Sequence, residues 1–212
     1  MREMVIFLAE AGQLPTVWQP QVEALPPDLP MASPWLDGLR PGQQRSFASA
    51  SAAQALSDLL TEQGIDRGYV VAHGFSTLVA SLAASQDDRI AGLILIAPRV
   101  PPTKRQTRGL KLMSRFLPGG GAFDQGDLAR ALDALAEFDL PDVLGRIFAP
   151  TALIGIDRDQ ASQDGVGTYL KHLRVATGAS VPAKPAHDGI PSAVTPIISD
   201  MINTWRAPTS QD

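Results

Sequence analysis

Four short runs of apolar residues constrain this chain more than any other feature: Met4 to Leu8, Gly68 to Ala72, Leu93 to Ala97 and Thr151 to Gly155. Each is continuous rather than alternating, so neither face of the segment is left polar. That pattern predicts strands buried on both sides. Met31 to Pro34 is a weaker strand candidate because proline interrupts it. Helical patterns separate the runs. Over Ser46 to Gln63, Phe47, Ala52, Leu56, Leu59 and Leu60 share a face, and over Phe75 to Ser85 Leu78, Leu82 and Ala83 do so. Buried strands alternating with helices predict an α/β chain with a mostly parallel, doubly wound sheet covered on both sides.

The 212 residues suit one domain, 1–212, whose core is large enough to bury most of the apolar surface. Hydrophobic residues make up 44% and charged residues 19%, with a mean hydropathy of +0.01, which is the composition of an ordinary globular protein. A formal charge of -4 gives no electrostatic reason to expect nucleic acid as a partner. The apolar run after Met1 is too short for a signal core or a membrane span, so a cytoplasmic, unanchored chain is expected. With no cysteine, disulfides, thiolate metal sites and cysteine nucleophiles are excluded. No cofactor is expected.

Residues 101–148 break the rhythm. Pro101-Pro102 opens the segment, Pro118-Gly119-Gly120-Gly121 hinges it, and helical patterns fall around Leu110 to Phe116 and Leu128 to Phe138. It reads as an excursion from the sheet. Within it Arg108, Lys111 and Arg115 share a helix face, and with Lys104 and Arg105 they form a basic stretch. A solvated face is the commoner meaning of such a stretch, and attraction of an anionic small molecule is the sharper one. Beyond it, a helix is expected near Gly165 to Ala176, a short strand near Ser180 to Pro182, and an amphipathic helix over Ser192 to Arg206.

Val70-Val71-Ala72-His73-Gly74-Phe75-Ser76-Thr77-Leu78-Val79-Ala80 passes from buried strand to helix through a sharp turn. It resembles the nucleophile elbow of α/β hydrolases, commonly Val-Gly-His-Ser-Met-Gly-Gly-Leu-Val-Ala, and the serine position falls on Gly74. Glycine adopts the elbow's backbone angles at little cost. Nucleophilic catalysis from that position is lost.

The resemblance runs on. Asp88 to Pro98 is similar to the family's next strand, and Ala149-Pro150-Thr151-Ala152-Leu153-Ile154-Gly155-Ile156-Asp157-Arg158-Asp159 to the strand whose final aspartate orients the catalytic histidine. It implies that role for Asp159, with Asp157 the lesser candidate. Pro185-Ala186-His187-Asp188-Gly189 precedes the last helix as the family's histidine loop does, so the resemblance gives His187 the histidine role. Position 74, Asp159 and His187 follow the family's chain order. The excursion at 101–148 corresponds to a reduced lid.

On the oxyanion side, the family's Leu-His-Gly is replaced by Leu8-Ala9-Glu10-Ala11-Gly12. The resemblance implies the donor roles for the N–H groups of Ala11 and Phe75, and Glu10 brings a carboxylate beside a place meant for developing negative charge. An alternative register reads Gly74-Phe75-Ser76 as the start of Gly-X-Ser-X-Gly, with Ser76 nucleophilic, but Leu78 stands where the second glycine belongs. His73 reads as a packed histidine, and His172 as one on the solvent face of a helix.

These residues predict a hydrolase-like chain without the serine nucleophile. It is either a divergent His-Asp acid/base enzyme or a ligand-binding pseudoenzyme for a small molecule. The alternatives are a small serine esterase using Ser76 and an interaction scaffold, for which Phe116 and Phe123 of the lid are the residues to inspect.

Overall fold

The computed structural model describes residues 1–10, 13–36, 47–103, 107, 138–182 and 190–207. Among the described residues six parallel strands form one sheet in the order β2-β1-β3-β4-β5-β6, where β1 is Glu3–Leu8, β2 Met31–Ala32, β3 Arg67–His73, β4 Ile90–Ile96, β5 Thr151–Ile156 and β6 Ala176–Val181. A one-turn 3₁₀ segment, Pro15–Trp18, leads into α1, Gln19–Glu23. Among the described residues the other helices are α2 (Ser49–Glu62), α3 (Ser76–Ala84), α4 (Leu140–Gly145), α5 (Gln160–His172) and α6 (Val194–Arg206).

The continuous apolar runs fill both faces of the sheet because successive strand residues point opposite ways. Met4, Ile6 and Leu8 of β1 pack with Val70 and Ala72 of β3 under α2, α3, α4 and Tyr169 of α5. Val5 and Phe7 face the other way, with Tyr69, Val71, Trp18 and the inward stripe Val194, Ile198 and Ile202 of α6. Each strand therefore feeds two cores, which is why none of the central strands keeps a polar face.

The strands expected at 4–8, 68–72, 93–97 and 151–155 all form, with ends displaced by a few residues. The helix expected at 165–176 is displaced further: it starts at Gln160, where the Asp159 side chain accepts the Ser162 N–H, and stops before Leu173, whose backbone is extended at ψ 141. The cap starts the helix ahead of the two glycines, Gly165 and Gly167, that obscure its pattern, and Ala176 already belongs to β6. That edge strand is mostly exposed, so it lacks the apolar signature of the others. Of the excursion, α4 is described. The helical patterns at 110–116 and 128–138, apart from Phe138, lie outside the described residues, as do Lys104, Arg105, Arg108, Lys111, Arg115, Phe116 and Phe123. Among the described residues no helix is long and apolar enough to cross a membrane.

Candidate functional site

In a parallel sheet every strand ends at the same edge, and loops leaving that edge converge. Here β1 delivers Glu10, β3 delivers Gly74, β4 delivers Arg99 and β5 delivers Asp159. Among the described non-glycine residues, positive φ occurs at Ala97 (φ 47) and Arg158 (φ 67), both at this edge. Left-handed backbone at non-glycine residues is uncommon and concentrates where a fold is held for function.

Gly74 turns the chain from β3 into α3 at φ 59. The turn is fastened on several sides. The Gly74 N–H donates to the Ile96 carbonyl at 2.9 Å, and the Gly74 carbonyl accepts from the Thr77 N–H at 3.2 Å and the Thr77 hydroxyl at 2.6 Å. The Thr77 hydroxyl oxygen also accepts the Arg99 N–H at 3.2 Å, which joins the ends of β3 and β4. Ser76 opens α3 fully buried, and its hydroxyl donates to the Ala9 carbonyl. It thereby links the elbow to the end of β1, facing away from solvent.

The Glu10 carboxylate lies over Gly74. A Cβ added there would stand 1.4 Å from Glu10 Oε2, 2.3 Å from Cδ and 2.8 Å from Oε1. Any side chain at this position requires Glu10 to leave. The Phe75 N–H, the donor expected for an oxyanion, donates instead to Glu10 Oε1 at 2.8 Å. The backbone that carries Glu10 is closed into a turn, with the Gln13 N–H donating to the Glu10 carbonyl at 3.0 Å. In addition, the Glu10 N–H donates to Gln13 Oε1 at 3.3 Å. A carboxylate at the first turn of α3, hydrogen-bonded to a backbone N–H, sits where the helix dipole favours negative charge. Glu10 therefore points inward, as an occupant of the elbow.

Asp159 caps α5 and meets Arg99, with Nη2 3.3 Å from Oδ2. Asp157, in contrast, accepts the Ser180 hydroxyl of β6 at 2.5 Å. His73, the last residue of β3, is 5% exposed, and its Nδ1 is buried with no hydrogen-bond partner among the described residues. Burial drives its imidazole down to about 4, the Arg99 charge adds to that shift, and Asp159 opposes it. The imidazole is therefore neutral at pH 7. The Tyr169 hydroxyl donates to the Arg99 carbonyl at 3.3 Å, and complete burial raises this phenol to about 12. Tyr169 is an anchoring hydrogen-bond donor and stays protonated.

Gly74, Phe75, Glu10 and Asp159 are thus found at one edge, Ser76 is directed into the protein, and Ala11 and His187 lie outside the described residues. His172 is exposed at the end of α5. Arg99 escaped sequence reading because it carries no motif. The available signal was its place directly after Ala97-Pro98, where a buried strand ends at the carboxyl edge. Among the described residues no group of three or more His, Asp or Glu residues could hold a metal ion.

A sharp strand-to-helix turn at the carboxyl edge of a sheet whose described strands are all parallel, with helices on both faces, is the arrangement of the α/β-hydrolase fold. Solved structures agree. An enol-lactonase from Burkholderia xenovorans LB400 superposes with a TM-score of 0.77 at 13% identity, over 97% of this chain and 91% of that one. A hydrolase from Oleispira antarctica gives 0.75 at 14% identity, over 98% and 92%. MenH from S. aureus gives 0.74 at 11% identity, over 96% and 92%. No protein-family model and no curated protein sequence matches the chain. The protein therefore has the α/β-hydrolase fold, and identities this low carry the fold alone.

Proposed function

We propose that this protein is a ligand-binding pseudoenzyme on the α/β-hydrolase fold, holding a small molecule at the carboxyl edge of the sheet without a serine nucleophile. The observation that carries this reading is the Glu10 carboxylate lying in the space of the missing side chain at Gly74 and accepting the Phe75 N–H at 2.8 Å. Acyl transfer needs an oxygen nucleophile there and an empty donor pair beside it. Here the nucleophile is absent and one donor is engaged. Ser76 is a poor substitute, because its buried hydroxyl is spent on the Ala9 carbonyl. An anionic ligand suits the basic run Lys104, Arg105, Arg108, Lys111 and Arg115.

A fluorophosphonate probe followed by intact-protein mass measurement tests this. The expected result is an unmodified mass, and an adduct on Ser76 overturns the reading.

One observation favours a second reading, in which Asp159 and His187 act as an acid/base pair: Asp159 is held at the same edge as Gly74 by Arg99 and the Ser162 N–H. Proton transfer by such a pair contributes about 10²- to 10⁴-fold to a rate. In that reading His187→Ala abolishes turnover of a substrate while the fold persists. Retained ligand affinity without turnover in either protein supports the pseudoenzyme.

A further inference from the structure

The distances from a Cβ built on Gly74 have a chemical meaning beyond a clash. They run 1.4 Å to Glu10 Oε2, 2.3 Å to Cδ and 2.8 Å to Oε1. In an esterified serine the Cβ is followed by the bonded oxygen, then the acyl carbon across one angle, then the carbonyl oxygen folded back toward the Cβ. The three separations reproduce that series: a single bond, a two-bond span and a syn three-bond span. The third atom is also the one that matters chemically. Oε1 takes the place of the ester carbonyl oxygen and accepts the Phe75 N–H at 2.8 Å.

We propose that Glu10 is an internal surrogate for an acyl group, and that its carboxylate occupies a niche shaped for the planar carboxylate or acyl group of a small molecule. The proposal rests on the elbow being non-nucleophilic, and it adds the chemistry of what the elbow holds. The niche combines the Phe75 N–H, the start of the nine-residue helix α3 and the open Cα face of Gly74. A free carboxylate offers the same plane, the same acceptor oxygens and the same charge as Glu10. An external acyl group therefore competes with Glu10 for one place, and the chain in its described state is self-occupied.

The test is a titration of the ¹⁵N-labelled full chain with sodium formate and sodium acetate at constant ionic strength, with sodium chloride as the control, read at the Phe75 amide. In Glu10→Ala the niche is empty, and the amide is expected to shift saturably with formate and acetate and stay still with chloride. Glu10→Gln keeps the planar group in place. That variant and the unsubstituted chain are expected to bind at least about tenfold more weakly, a difference of about 1.4 kcal/mol. If the alanine variant does not fold, Glu10→Asp shortens the reach by one methylene, and formate, the smaller probe, should then shift the same amide. A still Phe75 amide in a folded Glu10→Ala or Glu10→Asp protein overturns the proposal, as does an equal response in all variants. Either result leaves the non-nucleophilic reading standing, whereas labelling of Ser76 by a fluorophosphonate removes that reading and does not touch the titration.

Discussion

Glu10 Oε1 accepts the N–H of Phe75 at 2.8 Å across 65 residues of sequence, and the same carboxylate fills the space above the Cα of Gly74. The two contacts make position 74 and position 10 energetically dependent on each other. Gly74→Ala is expected to destabilise the chain on two counts. Left-handed backbone at a residue with a Cβ costs roughly 1–2 kcal/mol, and overpacking against the carboxylate adds about 1–3 kcal/mol. In a Glu10→Ala background only the backbone cost remains. Urea unfolding of the wild type, both single variants and the double variant should give a coupling energy of about 1–3 kcal/mol. Additive effects would mean that Glu10 is not lodged over the elbow.

His73 gives a pH dependence with a definite sign. The unfolded chain protonates this imidazole near 6.5, whereas burial and Arg99 hold it neutral to about pH 4 in the folded protein. Between those values the unfolded state binds more protons, so the contribution of His73 is fully present above pH 6.5 and is lost as pH falls toward 4. The loss amounts to about 3 kcal/mol at 1.36 kcal/mol per unit. Denaturant unfolding at several pH values should show a flatter slope for His73→Leu than for the wild type. Arg99→Leu removes a neighbouring positive charge, so the window should narrow from its acid side as the folded value rises.

At the opposite end of the sheet, Glu3 gathers several partners. It accepts the Tyr69 hydroxyl at 2.9 Å and Arg206 Nε at 2.9 Å, and Arg67 lies 3.4 Å away. Burial alone would raise the Glu3 carboxyl, but the bonds from Arg206 and Tyr69 outweigh it and hold the group below its usual value. For Tyr69 burial and Glu3 act together and lift the phenol to about 12. Trp205 stacks on the Tyr69 ring with centroids 6.3 Å apart, so the cluster fastens α6 to β1 and β3. Tyr69→Phe leaves the ring and removes the bond to a charged acceptor, at a cost of about 1.5–3 kcal/mol. Thermal unfolding should show that loss at pH 7 and a smaller one in acid, where the Glu3 carboxylate protonates in the folded state. A cost that does not vary with pH would dissociate Tyr69 from Glu3.

Gly165 sets the approach of α5 to the end of β4. A Cβ there would stand 1.8 Å from the Pro98 carbonyl oxygen, and backbone cannot step aside as a side chain can. Ordinarily glycine to alanine inside a helix gains up to about 1 kcal/mol. Here the expected result is a net loss of about 1–3 kcal/mol, because the overlap exceeds the propensity gain. The same displacement would move the Asp159 cap relative to Arg99. A stabilised Gly165→Ala protein in calorimetry would show that α5 does not press on Pro98.

Much of the architecture was legible in the residue pattern. Met4 to Leu8, Gly68 to Ala72, Leu93 to Ala97 and Thr151 to Gly155 announce strands because burial on both faces removes polar residues from them. The edge strand β6 was harder to read, since Ala176–Val181 is largely exposed and carries no such run. The start of α5 was displaced for a local reason: Asp159 caps Ser162 from outside the apolar pattern, and Gly165 and Gly167 dilute the periodicity of the helix itself.

The same division holds at the elbow. By itself the sequence determined that a glycine stands where a buried strand turns into a helix, because strand periodicity, turn and helix periodicity are all local. Glu10 and Phe75 came to attention through the resemblance of the segments after β1 and β3 to the oxyanion side of α/β hydrolases. Whether Glu10 faced solvent or the elbow was decided by tertiary structure alone. A carboxylate on a non-repeating turn has no periodicity to give its direction, and its partner lies 65 residues further along the chain. Only the parallel pairing of β1 with β3 brings Glu10 and Gly74 to one edge, and only the missing Cβ of Gly74 leaves room for the carboxylate between them.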